Sequence, residues 1–185
     1  PKGKFTIAQA NKKILVMFAT GTGLAPFVAQ IRSLWKLHQA GVPCPYRIIL
    51  FHGAAYADEY GYAPELEGYA AARTQGFDFT YLKTSSRPEP ARGWAPPIAK
   101  GRVNEVVRHI LGQPLPNGRH IEMPAHVDAA AIRELLEPED TAFLGAMPES
   151  DSMEVHALIT AMELHFGFVI EDDEITGDTF TTVGT

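Results

Sequence analysis

Five consecutive apolar residues, Ile14-Leu15-Val16-Met17-Phe18, break into Thr20-Gly21-Thr22-Gly23-Leu24-Ala25-Pro26, and an amphipathic stretch occupies residues 27–37. A continuous apolar run that ends in a glycine turn predicts a buried strand, and the 3.6-residue spacing behind it predicts a helix. Apolar runs then alternate with helical patterns. Strands are predicted at 46–51, bounded by Pro43, Pro45 and Gly53, and at 77–82, with a short helix at 64–73 between them. Val103, Val106, Val107 and Ile110 fall on one face of a helix over 103–111. Residues 129–136 read as a short helix and 142–144 as a strand. Residues 152–166 form an amphipathic helix on Val155, Leu158, Ile159, Met162 and Phe166, followed by a short strand at 168–170. Strand and helix in turn imply right-handed crossovers, hence an α/β fold: a doubly wound, mostly parallel sheet with helices on both faces and ligands at its carboxyl edge. The Ser- and Pro-rich loop 84–100 lies at that edge, and 113–128, with Pro114, Pro116 and Pro124, reads as an insertion or linker.

The turn at 20–26 carries the chemistry. Two glycines let the backbone turn tightly and approach a phosphate closely, while the unpaired N–H groups of a following helix face the anion. The spacing departs from the dinucleotide fingerprint G-x-G-x-x-G, because Pro26 stands at its third glycine. A tight turn without a ligand is the alternative reading.

Composition narrows the class. The 185 residues, 45% apolar and 21% charged, suit one ordinary globular domain or slightly more. One cysteine, Cys44, excludes an internal disulfide framework and a cysteine-based metal cluster, and fits a reducing, cytoplasmic compartment. His120 and His126 flank Glu122 without a metal-ligand spacing, so no metal site is expected. No apolar run approaches the length of a membrane span, and dispersed basic residues in an acidic chain argue against nucleic-acid binding. The net charge of −6 is unevenly distributed: residues 1–137 hold all 16 Lys and Arg with 11 acids, and 138–185 hold 11 acids and no Lys or Arg. That change of composition points to segments with different partners, an acidic surface helix and tail on one domain being the alternative.

Residues 1–112 resemble the NADP(H)-binding domain of the ferredoxin–NADP reductase family. The resemblance rests on Gly3-Lys4-Phe5, the turn Gly21-Thr22-Gly23-Leu24-Ala25-Pro26-Phe27, Phe51-His52-Gly53 with Glu59 and Tyr62, and Ser85-Ser86-Arg87-Pro88 ahead of Gly101-Arg102-Val103. It implies that Thr20, Gly21, Thr22, Gly23, Leu24, Ala25 and Pro26 hold the cofactor pyrophosphate, with His52 and Gly53 beside them. It further implies that Ser86 and Arg87 clasp the 2′-phosphate that separates NADPH from NADH. A hydroxyl and a guanidinium suit a phosphomonoester, the guanidinium through a bidentate, charge-assisted contact. Arg92 or Lys100 would add a second positive charge, solvated loop charge being their alternative.

The same resemblance implies FAD on a separate domain or chain and a ferredoxin or other redox acceptor as partner. Two departures stand out. Where the family has Cys-Gly-x-Pro after a late strand, this chain reads Phe143-Leu144-Gly145-Ala146-Met147-Pro148, and Ala55 stands where many relatives have arginine. The missing cysteine and flavin barrel imply that the chain alone does not turn over as a reductase.

Residues 140–185 resemble part of an acyl carrier protein, through Leu144-Gly145-Ala146-Met147-Pro148-Glu149-Ser150-Asp151-Ser152-Met153, the helix to Phe166-Gly167, and the acidic 171–174. This implies 4′-phosphopantetheine on Ser152 and docking of the acidic helix to basic patches of acyl-processing enzymes. The structural alternative is that Asp151 or Ser152 caps the helix. The helix that should precede Ser152 is not recognisable at the usual separation, so the strand–helix–strand of 142–170 is expected to complete the reductase-like sheet. The expected organisation is an NADP(H)-binding core at 1–112, a Pro-rich insertion and short helix at 113–139, and a carrier-like segment at 140–185. Two functions compete: a nucleotide module of a flavin-dependent oxidoreductase, and an acyl carrier module.

Overall fold

The computed structural model describes residues 13–115, 118, 121–124, 127–136, 141–146, 160 and 164, the strand at 141–146 as backbone only. Its five strands are β1 (Ile14–Thr20), β2 (Arg47–Ala54), β3 (Phe79–Ser85), β4 (Ala99–Lys100) and β5 (Thr141–Ala146). They form one sheet of order β4-β3-β2-β1-β5, with every pairing parallel. Helices among the described residues include α1 (Leu24–Gln39), α2 (Ala63–Ala71), α3 (Val103–Ile110) and α4 (Ala129–Leu135).

The continuous apolar runs of β1 and β2 are explained by burial from both sides. Because side chains alternate across a strand, Leu15, Met17, Ile48 and Leu50 point to one face, where they pack with Phe27, Ile31 and Leu66 of α1 and α2. Val16, Phe18, Ile49 and Phe51 point to the other and pack with Val103, Val106, Ile110 and Ile132 of α3 and α4. Ile121, from the Pro-rich stretch read as a linker, is buried in this second core, with Leu115 and Met123 against it.

Sequence order explains where a ligand can sit. The chain moves outward from β1 to β2 and β3, then returns to place β5 on the opposite side of β1. The strand order therefore reverses beside β1, and that opens a crevice at its carboxyl end. Registers align Thr20 with Gly53, Gly53 with Thr84, and Thr84 with Ala99, so four strand ends reach one edge in a row.

Several boundaries differ from expectation. Helix α1 begins at Leu24 rather than Phe27, because Leu24 buries into the α1–α2 core and Pro26 is tolerated in a first turn, where backbone N–H groups have no intrahelical partner. Strand β3 begins at Phe79 and runs to Ser85, three residues past the expected end. The edge strand β4 and the 3-10 turn Pro90–Arg92 lie inside what reads as a loop. Of the expected helix at 152–166, residues 160 and 164 are helical, and Leu164, off its apolar stripe, is exposed. Ser152, the strand at 168–170 and the acidic tail lie outside the described residues.

Candidate functional site

At the carboxyl edge, β1 passes into a 3-10 turn, Gly21–Gly23, that leads directly into α1. Gly21 takes φ +50°, the left-handed region in which a side chain is strained. No acidic residue occupies the first turn of α1 and no side chain caps it. The positive end of a 16-residue helix thus opens on the turn without an anion of its own. The start of α3 differs. There the carboxylate of Glu105 accepts the Arg102 backbone N–H at 2.8 Å, which supplies the anion from within the chain.

Between these helix starts lies a cavity of about 300 Å³, lined by residues that include Thr20, Gly21, Gly53, Thr84, Ser86 and Arg87. Gly53 is what lets α3 close against the sheet. A Cβ at that position would stand 2.7 Å from Cγ2 of Val103 and 3.0 Å from Cγ2 of Thr20, well inside ordinary contact. Thr84, 1% exposed, is among the lining residues, and its buried Oγ1 has no hydrogen-bond partner among the described residues. A buried hydroxyl left unpaired costs about 1–3 kcal/mol.

The loop that follows β3 is tied to the loop that follows β2. Ser86 donates its backbone N–H to Ala54 O at 3.1 Å, Arg87 its own to Ala55 O at 2.9 Å, and the Ser85 hydroxyl also donates to Ala55 O. This fixes Ser86 and Arg87 side by side at the cavity mouth. Arg87 is exposed and makes no ion pair among the described residues; Nη1 contacts the Tyr56 hydroxyl at 3.4 Å. That hydrogen bond is the main cause of its raised pKa. Arg92 and Lys100 are engaged elsewhere. Arg92 grips both carboxylate oxygens of Asp58 at 2.9 and 2.7 Å, and Lys100 pairs with Glu122 at 2.6 Å and lies over Trp94. Of these three, Arg87 is thus the one placed for an added anion.

Of the residues expected from sequence, Thr20, Gly21, His52, Gly53, Ser86 and Arg87 line the cavity. Thr22, Gly23, Ala25 and Pro26 lie beside it in the turn and the first turn of α1, and Leu24 is buried in the core. His52 is 2% exposed; its Nδ1 meets the Tyr81 hydroxyl at 2.8 Å, and its ring sits edge-on to Tyr60. Burial, helped by Lys83, pushes its pKa down to about 4, so it is neutral at pH 7 and brings no charge to a phosphate. Tyr62 takes φ +60° ahead of α2 and is half exposed, and it does not line the cavity. Ala54, Ala55 and Thr84 line it without having been singled out for this role. Thr84 lies two residues before Ser86, and strand alternation was the signal that would place both on one face.

Cys44 is half buried with Sγ 3.5 Å from Tyr46 O, and burial pushes its thiol pKa up, which disfavours the reactive thiolate. Among the described residues no cluster of His, Cys, Asp or Glu fits a metal ion. No helix among them is long and apolar enough to cross a membrane.

The profile of the oxidoreductase NAD-binding domain family matches residues 17–121, more than half of the chain. A ferredoxin–NADP reductase from Thermosynechococcus vestitus is 31% identical over 94 residues, which cover 50% of this chain and 24% of that protein. In fold, the chain resembles the cytochrome b5 reductase domain of Ulva prolifera nitrate reductase, with a TM-score of 0.52 at 18% identity over 85% of this chain and 45% of that one. A cytochrome P450 reductase from Amycolatopsis aligns with a TM-score of 0.47 at 17% identity, over 85% of this chain and 35% of that one. The chain thus spans about a quarter of the curated relative and less than half of each solved structure. None of these matches is to an acyl carrier protein, so the expected carrier-like segment and its phosphopantetheine find no support in them.

Proposed function

This chain belongs to the oxidoreductase NAD-binding domain family, and on that premise we propose that it is the NADP(H)-binding module of a flavin-dependent, ferredoxin–NADP reductase-like oxidoreductase. Its role is to hold NADPH at the carboxyl edge of the sheet so that hydride passes to an FAD carried on another domain or partner. A ferredoxin or another redox acceptor then takes the electrons. Hydride chemistry belongs to the nicotinamide; this chain contributes binding and orientation.

The turn Thr20–Pro26 and the open start of α1 receive the pyrophosphate through backbone N–H groups and the helix dipole. Ser86 and Arg87 receive the 2′-phosphate, by a hydroxyl and a charge-assisted guanidinium contact.

The observation that carries this reading is Arg87, which stands at the cavity mouth without an ion pair among the described residues while Arg92 and Lys100 are matched with acids. Calorimetric titration of Arg87→Ala tests it. Loss of one charge-assisted contact should weaken NADP⁺ by roughly 1.5–3 kcal/mol and leave NAD⁺ almost unchanged. Equal weakening of both cofactors, or of neither, would remove the assignment.

A further inference from the structure

An arginine that selects a phosphate is effective only when its guanidinium is already in place. A long, exposed side chain otherwise surrenders rotamer freedom at the moment of binding. The backbone of Arg87 is fixed by its bond to Ala55 O, but that bond does not direct the side chain. Four residues do so, Tyr56, Asp58 and Glu59 from the loop after β2 and Arg92 from the loop of Arg87 itself.

The Tyr56 hydroxyl accepts from Arg87 Nη1 at 3.4 Å, with Arg87 Cζ 5.7 Å from the ring centre. The Tyr56 ring is itself covered by Arg92, whose Cζ stands 3.6 Å from the ring centre, close enough for full stacking. Arg92 is held in turn by the Asp58 carboxylate at 2.9 and 2.7 Å, with Glu59 at 3.4 Å. Glu59 also accepts the Tyr56 backbone N–H at 3.2 Å, which closes the 3-10 turn Ala57–Glu59 on the same tyrosine. The order of contacts is therefore Asp58 and Glu59 to Arg92, Arg92 to Tyr56, and Tyr56 to Arg87.

Charge follows the same path. Two guanidinium groups on one ring would repel, but Asp58 and Glu59 pair with Arg92, whereas Arg87, with Glu59 and Glu89 in its neighbourhood, makes no ion pair among the described residues. Tyr56 is thus held from both sides, and its hydroxyl is the side-chain group that hydrogen-bonds Arg87 among the described residues.

We propose that Tyr56, clamped by Arg92 and Asp58, is the positioning residue that sets discrimination for a phosphomonoester dianion at Arg87, and so for NADP(H) over NAD(H). This rests on the reading of Arg87 given under Proposed function. Tyr56 acts through Arg87, and Arg92 covers one face of its ring.

The test is calorimetric: dissociation constants for NADP⁺ and NAD⁺ in the full chain, in Tyr56→Phe, in Asp58→Asn and in Arg87→Ala. Tyr56→Phe keeps the ring and its stack on Arg92 and removes only the hydroxyl. It should lower the NADP⁺/NAD⁺ selectivity ratio by roughly 3- to 10-fold, through NADP⁺ alone. Asp58→Asn loosens the stack and should lower the ratio in the same direction. A ratio unchanged in Tyr56→Phe while Arg87→Ala collapses it overturns the positioning role and leaves the nucleotide reading standing. Equal weakening of both cofactors in Tyr56→Phe overturns it in favour of a hydroxyl contact to a part of the nucleotide that both share, or of general damage, which the melting temperature distinguishes. A ratio unchanged in Arg87→Ala overturns both.

Discussion

Gly53→Ala adds one methyl group at the point where α3 meets the sheet. The new carbon would stand 2.7 Å from Val103 Cγ2 and 3.0 Å from Thr20 Cγ2, where apolar carbons normally keep about 3.5–4.0 Å. Relief must come from movement. Val103 is 1% exposed and is the first residue of α3, and a β-branched side chain in a helix has essentially one rotamer, so the helix start has to shift with it. Overpacking of this kind costs about 1–3 kcal/mol. Against it stands the reduced freedom of the unfolded chain, about 0.4–1 kcal/mol, which favours alanine wherever glycine has ordinary dihedrals. The clash wins, and net destabilisation is on the order of 1–2 kcal/mol. For a chain of this size the thermal midpoint should fall by roughly 2–8 °C, followed by circular dichroism. Gly68→Ala provides the matched comparison. Gly68 lies within α2 with nothing within 4 Å of its would-be Cβ, so alanine there should stabilise by about 0.5–1 kcal/mol. A Gly53→Ala midpoint equal to or above wild type would refute the packing argument.

Thr84→Val removes the unpartnered buried hydroxyl at constant shape, so the free chain should gain about 1 kcal/mol in urea denaturation; a less stable variant would mean that the hydroxyl is satisfied. His52 has its pKa lowered to about 4 by burial and by Lys83, against about 6.5 in the unfolded chain, so the unfolded state binds the extra proton between those values. Stability is therefore fully present above about pH 6.5 and falls as the pH drops toward 4, by an amount on the order of 3 kcal/mol. His52→Gln should flatten that slope, and a parallel pH profile in the variant would contradict the assignment.

What was legible in the sequence follows from local pattern. The apolar runs of β1 and β2 with their glycine boundaries, and the Val103/Val106/Val107/Ile110 stripe of α3, carry their own periodicity, so element types and the sheet class could be read directly. The turn after β1 could be singled out by its glycines and the Ser86-Arg87 pair by resemblance to the reductase family, and Gly21, Ser86 and Arg87 come together at the cavity. Strand β4 was not. Two residues shortly after Pro96-Pro97 hold no alternation, and Ala99–Lys100 becomes a strand only by pairing with Thr84 and Ser85. Partner choice was equally hidden: nothing local separates Arg87 from Arg92, and the distinction comes from Asp58, which the fold brings to Arg92 from the loop after β2. The neutral state of His52 likewise depends on burial against Tyr81 and Tyr60, which its neighbours in sequence do not reveal.

The claim at the centre of this account is that the carboxyl edge of the sheet binds a nucleotide bearing a 2′-phosphate. Isothermal titration of the unmodified chain with 2′,5′-ADP and with 5′-AMP isolates that group, because the two ligands differ only in the phosphate assigned to Ser86 and Arg87. A charge-assisted contact of about 1.5–3 kcal/mol predicts that 2′,5′-ADP binds roughly 10- to 150-fold more tightly, with the advantage shrinking as salt is raised. Equal affinities for the two ligands, or no binding of either, would contradict it.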